Sequence, residues 1–154
     1  MTVIEGIKRD FRGFSFLQGL MLLLIGAATL QVTWWAMDRT PPVETTGAVA
    51  DGPAIAGGTL VVTYTVERHR SCPYKVDRLV RTSNGAMVPL VDDEWAASPG
   101  SLGRDVYKVY VALPLSVDPG PASYRVILSY RCNLLQYLYP IIVRNETPFV
   151  VATR

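Results

Sequence analysis

The amino-acid sequence predicts a mainly β protein, in which an N-terminal transmembrane helix is followed by an antiparallel β-sandwich. Three observations predict it: an uncharged stretch from Phe14 to Met37, a two-residue alternation of apolar and polar side chains beyond Thr59, and turn signals spaced as in small all-β domains. With 154 residues the chain has room for one ordinary domain plus an anchor. Its formal net charge of +2 gives no whole-protein argument for nucleic acid as a partner.

The anchor comes first. Residues 14–37, FSFLQGLMLLLIGAATLQVTWWAM, hold no charge, and roughly 20 apolar residues in a helix cover the ~30 Å hydrocarbon core of a bilayer. The Ser, Gln and Thr side chains in the stretch are uncharged, and a helix meets its own backbone groups in lipid. Trp34 and Trp35 fall at the C-terminal end, where amphipathic rings favour the headgroup zone. Lys8, Arg9 and Arg12 precede the stretch and only Arg39 follows it closely. The positive-inside rule then keeps residues 1–13 cytoplasmic and exports the residues beyond Asp38. A cleavable signal peptide begins in the same way, but its apolar core is usually about 7–15 residues; Gly26-Ala27-Ala28 leaves cleavage open. The bilayer is thus the first expected partner.

Residues 38–58, which include RTPPVETTGAVADGPAIAGG, are rich in Pro, Gly, Thr and Ala and show no period, so they read as a linker. Residues 59–154 form the exported domain. Thr59 to Glu67 places Leu60, Val62, Tyr64 and Val66 on one face of a half-buried strand. Tyr74 to Thr82 and Ala86 to Val91 read as a hairpin joined by Ser83-Asn84-Gly85. Asp92 to Gly103 reads as a loop around Trp95, and Arg104 to Leu113 as a strand burying Asp105, Tyr107, Val109, Val111 and Leu113. Tyr124, Val126, Leu128, Tyr130 and Cys132 share one face of the strongest strand. Leu138 to Val143 and Pro148 to Ala152 close the domain, their prolines pointing to edges or bulges. A small barrel would give the same alternation.

Cys72 and Cys132 are the two cysteines; both lie beyond the span, and each ends a strand on the expected core face. In an oxidising compartment they are expected to pair. Tyr130-Arg131-Cys132 has the Tyr-x-Cys spacing of the immunoglobulin tyrosine corner, so the sandwich is expected to be immunoglobulin-like. The cysteine ends its strand rather than lying inside it, however, and no Trp other than Trp95 stands between the pair.

Catalytic chemistry finds little footing, and no catalytic residue, metal or cofactor is expected. His69 is the lone histidine and stands between Arg68 and Arg70, which would depress its basicity. His69-x-x-Cys72, with Cys132 or Met87, is poor spacing for a soft metal. Asp92-Asp93-Glu94 is a candidate for a hard cation, although adjacent carboxylates are more often a solvated loop. Arg68, Arg70, Lys75, Arg78 and Arg81 cluster against Glu67 and Asp77, a binding face for an anionic surface or acidic partner. Tyr137-Leu138-Tyr139 after Leu134-Leu135 is either core or interface, and Asn145-Glu146-Thr147 fits a glycosylation sequon.

The segments RSCPYKVDRLV and GPASYRVILSYRCN carry a resemblance, over about half of the chain, to small membrane-anchored β-sandwich proteins of tailed bacteriophages and prophages. The resemblance implies context rather than an activity: a single pass through a bacterial inner membrane, a periplasmic domain, and a viral or host-interaction role. The function expected is a non-enzymatic structural or protein-interaction module with a partner in the membrane or envelope; a homo-oligomer is compatible with it. An envelope-disrupting lysis accessory of spanin-like role and a periplasmic metal-handling assembly factor are the alternatives.

Overall fold

A computed structural model of the chain describes residues 3–153, with side chains from Ser15 onward. Helix α1 (Val3–Met37) contains the apolar stretch. Its segment Ser15–Met37, 23 residues of mean hydropathy 1.7, is long and apolar enough to cross a membrane. Its two threonines cost little, because Thr29 donates to the Ile25 carbonyl and Thr33 to the Thr29 carbonyl, each at 2.8 Å, one turn back along the helix. Trp34 and Trp35 occupy the last turn. The side chains of Lys8, Arg9 and Arg12 lie outside the described residues.

The chain divides into two units, Met1–Arg39 and Thr40–Arg154, and all the strands belong to the second. A three-stranded sheet has the order β1 (Val43–Ala50), β3 (Thr59–Arg68), β7 (Gly103–Ala112). A six-stranded sheet, curled into a half-barrel, runs β2 (Ala54–Ile55), β9 (Ile141–Ala152), β8 (Gly120–Tyr130), β4 (Tyr74–Arg81), β5 (Met87–Pro89), with β6 (Asp93–Trp95) also on β4. Every pairing is antiparallel except the short β2–β9 ladder. The mainly β, antiparallel expectation holds, and the alternation explains it. Leu60, Val62, Tyr64 and Val66 are all buried, as are Tyr124, Val126 and Tyr130. The two sheets thereby share one apolar core, in which each fully buried Val or Leu contributes roughly 1.5–3 kcal/mol.

Three boundaries differ from the sequence reading. Residues 38–58 are not a tether, since β1 (8 residues) and β2 (2 residues) draw about half of the stretch into the two sheets. A bulge at Thr46 shifts the β1–β3 register, so Val43 and Thr45 before it, and Ala48 and Ala50 after it, turn inward. That change of phase erases the alternation. The two closing strands are one continuous β9, in which Pro148 is tolerated because β2 meets β9 only at Val151 and Ala152, leaving no second neighbour to demand the missing N–H. The sequon Asn145-Glu146-Thr147 consequently lies within a strand. Finally, Asp93 to Trp95 pairs with β4 instead of looping out. The Asn-Gly turn forms as expected: Gly85 adopts φ 84°, its N–H donates to the Thr82 carbonyl at 2.9 Å, and Asn84 Oδ1 accepts from Ala86 N at 2.9 Å.

Candidate functional site

At one end of the core the two sheets close over aliphatic side chains; at the other they enclose a cleft of about 360 Å³. The burial of β7 traces the opening. Leu113 and Val111 are buried, Val109 is half-buried and Tyr107 is 38% exposed, although all four share one face. Valines 43, 66, 76 and 126 line the cleft together with Leu128. Tyrosines form its walls. Tyr64 of β3 stacks on Tyr107 of β7 at 5.7 Å, and Tyr74 of β4 stacks on Tyr130 of β8 at 5.4 Å. Trp95, Ser98 and Pro99 also border the cleft. Residues 96–102 cross there from β6 in one sheet to β7 in the other.

Strand parity sends two arginines to this interior. Arg68 continues the series Leu60, Val62, Tyr64, Val66, and Arg78 continues Tyr74, Val76. Arg68, 7% exposed, donates from Nη2 to Asp105 at 3.0 Å and lies 5.4 Å from the centre of the Tyr107 ring. Arg78 pairs with Asp93. Gly100 passes over the Arg68–Asp105 pair with φ 94°, where a Cβ would stand 2.9 Å from Asp105 Oδ2, so no larger residue fits without displacement. A third cation in the lining, Lys108, holds Asp51 at 2.7 Å.

Four buried polar atoms of cleft residues complete no hydrogen bond: the Tyr64 and Tyr124 hydroxyls, Arg68 Nε and Ser98 Oγ. Thr147 and Arg78 are near enough to influence the Tyr64 and Tyr124 phenols, yet neither hydroxyl reaches hydrogen-bond geometry. Burial dominates their titration, pushing Tyr124 up to about 12 and raising Tyr64 and Tyr130 further. These phenols are neutral at ordinary pH and act as hydrogen-bond donors and acceptors.

The residues singled out in the sequence are dispersed. Of the expected basic face, Arg68 and Arg78 turn inward, Lys75 and Arg81 lie on the opposite face of β4, and Arg70 donates to the Thr40 carbonyl at 2.7 Å. The five therefore do not form one surface. Lys75 meets Asp77 and Asp92. The three adjacent carboxylates diverge, Asp92 to Lys75, Asp93 to Arg78 and Glu94 to Arg131. Among the described residues no group of three or more His, Cys, Asp or Glu is arranged to hold a metal ion. Cys72 and Cys132 stand at disulfide distance, with Cα atoms 5.0 Å apart, and His69 lies 3.8 Å from Glu44. Leu134 and Tyr137, on a short 3₁₀ turn (Leu134–Tyr137) capped by Asn133, and Leu138 and Tyr139 just after it are exposed, following Cys132 in the chain. The sequence reading missed the cleft, although the signal was present: an arginine in register with a buried apolar series.

No protein-family model and no curated protein matches the chain. Among solved structures, the C-terminal domain of Wzt aligns at TM-score 0.49 and 12% identity, over 75% of this chain and 77% of that one. A late embryogenesis abundant protein aligns at 0.46 and 13%, over 88% and 85%. The Pseudomonas fluorescens alkylpurine DNA glycosylase AlkC aligns at 0.44 and 12%, over 79% of this chain and 33% of the enzyme. Scores this low transfer no function.

Proposed function

We propose that this protein is a non-enzymatic, membrane-anchored binding module that holds its β domain outside the cytoplasm. The observation that carries the reading is one chain joining a helix apolar enough to cross a membrane to a domain whose cleft gathers buried, unpartnered polar groups. Recognition rather than turnover is favoured by the lining itself: neutral phenols, and cations that already face carboxylates. The exposed apolar turn at Leu134 to Tyr139 supports a protein partner in the same membrane or envelope.

Lys8, Arg9 and Arg12 support a cytoplasmic N-terminus. A disulfide persists in an oxidising space, which favours the periplasm of a bacterium. The resemblance of RSCPYKVDRLV and GPASYRVILSYRCN to phage-encoded anchored proteins adds a viral origin to the proposal. The proposed domain is immunoglobulin-like, a reading supported by the strand orders β1-β3-β7 and β9-β8-β4, which strands A-B-E and G-F-C of that fold would give. The cysteines outside β3 and β8, and the parallel β2, mark its departures from that pattern.

Carbonate washing of bacterial membranes, followed by protease treatment of intact spheroplasts, tests this reading. The chain is expected to stay in the membrane pellet and to lose a C-terminal epitope to external protease. Release by carbonate, or an epitope digested only after lysis, would overturn it.

A further inference from the structure

The cleft's chemistry restricts its ligand. Every lining cation already has a carboxylate: Arg68 with Asp105, Arg78 with Asp93, Lys108 with Asp51. An anion entering the site would have to displace one of these partners. The unmet groups are instead the Tyr64 and Tyr124 hydroxyls, Arg68 Nε and Ser98 Oγ. An unmet buried polar group costs about 1–3 kcal/mol. All of these groups can donate to a neutral oxygen, and the guanidinium nitrogen can do nothing else. Thr45 and Asn145 also line the cleft but bond each other, Asn145 Nδ2 donating to Thr45 Oγ1 at 2.9 Å; the rest of the lining is aliphatic or aromatic, and the stacked pairs Tyr64–Tyr107 and Tyr74–Tyr130 offer flat walls. A volume of about 360 Å³ falls at the small end of small-molecule sites.

We infer that the cleft binds an uncharged, flat, largely apolar small molecule carrying oxygen hydrogen-bond acceptors. The inference rests on the binding reading above and names the ligand class for the same site. Ring faces lie against the tyrosine walls. Ligand oxygens accept from Arg68 Nε and from the Tyr64 and Tyr124 hydroxyls, which keep their protons through neutral pH. Loop residues 96–102, with Ser98 and Pro99 in the lining, hold the rim.

Equilibrium dialysis of the full chain in lipid nanodiscs, with empty discs as the reference, tests the class with three small molecules. Coumarin is flat and neutral and carries two oxygens; naphthalene has similar size without an acceptor; coumarin-3-carboxylate adds a negative charge. Coumarin is expected to bind saturably and at least about tenfold more tightly than either of the others, as about 1.4 kcal/mol of hydrogen bonding would give. Tyr64→Phe combined with Tyr124→Phe keeps both rings and is expected to reduce that preference at least about threefold, Arg68 Nε remaining as a donor, while leaving naphthalene uptake unchanged. Leu128→Phe, which narrows the cleft without touching a hydroxyl, is expected to abolish uptake of all three. Near-ultraviolet circular dichroism checks that each variant is folded. Tighter binding of the carboxylate, or a coumarin preference undiminished by loss of both hydroxyls, overturns the ligand class and leaves the binding reading standing. Uptake unaffected by Leu128→Phe, or no saturable uptake of any of the three, removes the cleft as a small-molecule site altogether.

Discussion

The two ends of the inter-sheet space are built by the same strands and end up unlike one another. At the closed end Leu60, Val62, Val111, Leu113, Phe149 and Val151 interdigitate and exclude water. At the open end β3, β4, β7 and β8 contribute Tyr64, Arg68, Tyr74, Arg78, Tyr107 and Tyr130, and the sheets leave a cleft. Strand alternation assigns both sets to the interior. Chemistry separates them: hydrocarbon packs to crystal-like density, whereas guanidinium and phenol groups need polar partners when buried, and at the open end Arg68 Nε and the Tyr64 and Tyr124 hydroxyls lack one. The closed end is thus the folding core, and the open end is where unpartnered polar groups subtract from that stability.

The largest test of the contrast is the bond at the open end. Cys72→Ser with Cys132→Ser releases a 60-residue separation and is expected to lower stability by about 4 kcal/mol in the chain-entropy account, read by urea unfolding of the domain. If the closed end alone holds the fold, the variant still unfolds in one cooperative transition; separate transitions for the two ends would break the picture of a single core. Next, Leu60→Ala at the closed end is expected to cost about 3 kcal/mol through lost burial and a cavity. Tyr124→Phe supplies the contrast: its hydroxyl has no partner, so removal is expected to change stability by less than about 1 kcal/mol, in either direction. A loss as large as that of Leu60→Ala would show that this hydroxyl is bonded after all.

The smallest effect is confined to alkaline solution. Burial raises Tyr64, Tyr124 and Tyr130 above the ordinary phenol value. Above pH ~10 the unfolded chain loses these protons while the folded one retains them. Their contribution to stability is therefore full below pH ~10 and drains as the pH rises through about 12, where Tyr124 titrates. Thermal melts between pH 8 and 11 are expected to stay level until near 10 and then fall, with phenolate absorbance at 295 nm appearing together with unfolding.

Much of this architecture is legible in the sequence wherever one period runs uninterrupted. Leu60 to Val66 and Tyr124 to Tyr130 announce both their strands and their buried faces, and Asn84-Gly85 announces its turn. Residues 43–50 are illegible because the bulge at Thr46 reverses the phase and because the inward side chains beyond it are alanines, whose small apolar area makes a weak pattern. The cleft escapes for a different reason. Residue type assigns Arg68 and Arg78 to a basic surface, while their positions, two residues beyond Val66 and Val76, place them inside. The carboxylates that hold them inside, Asp105 and Asp93, stand on neighbouring strands of the same sheets but 37 and 15 residues away along the chain, and no local window contains that pairing.

The link between Cys72 and Cys132 also governs what limited digestion will yield. Any single nick between them, such as one in residues 96–102 or at the Ser83-Asn84-Gly85 turn, produces two polypeptides that remain covalently joined. On a denaturing gel the digest would migrate as an uncut chain until a reductant is added, so a conclusion that the domain resists cleavage has to come from reduced lanes.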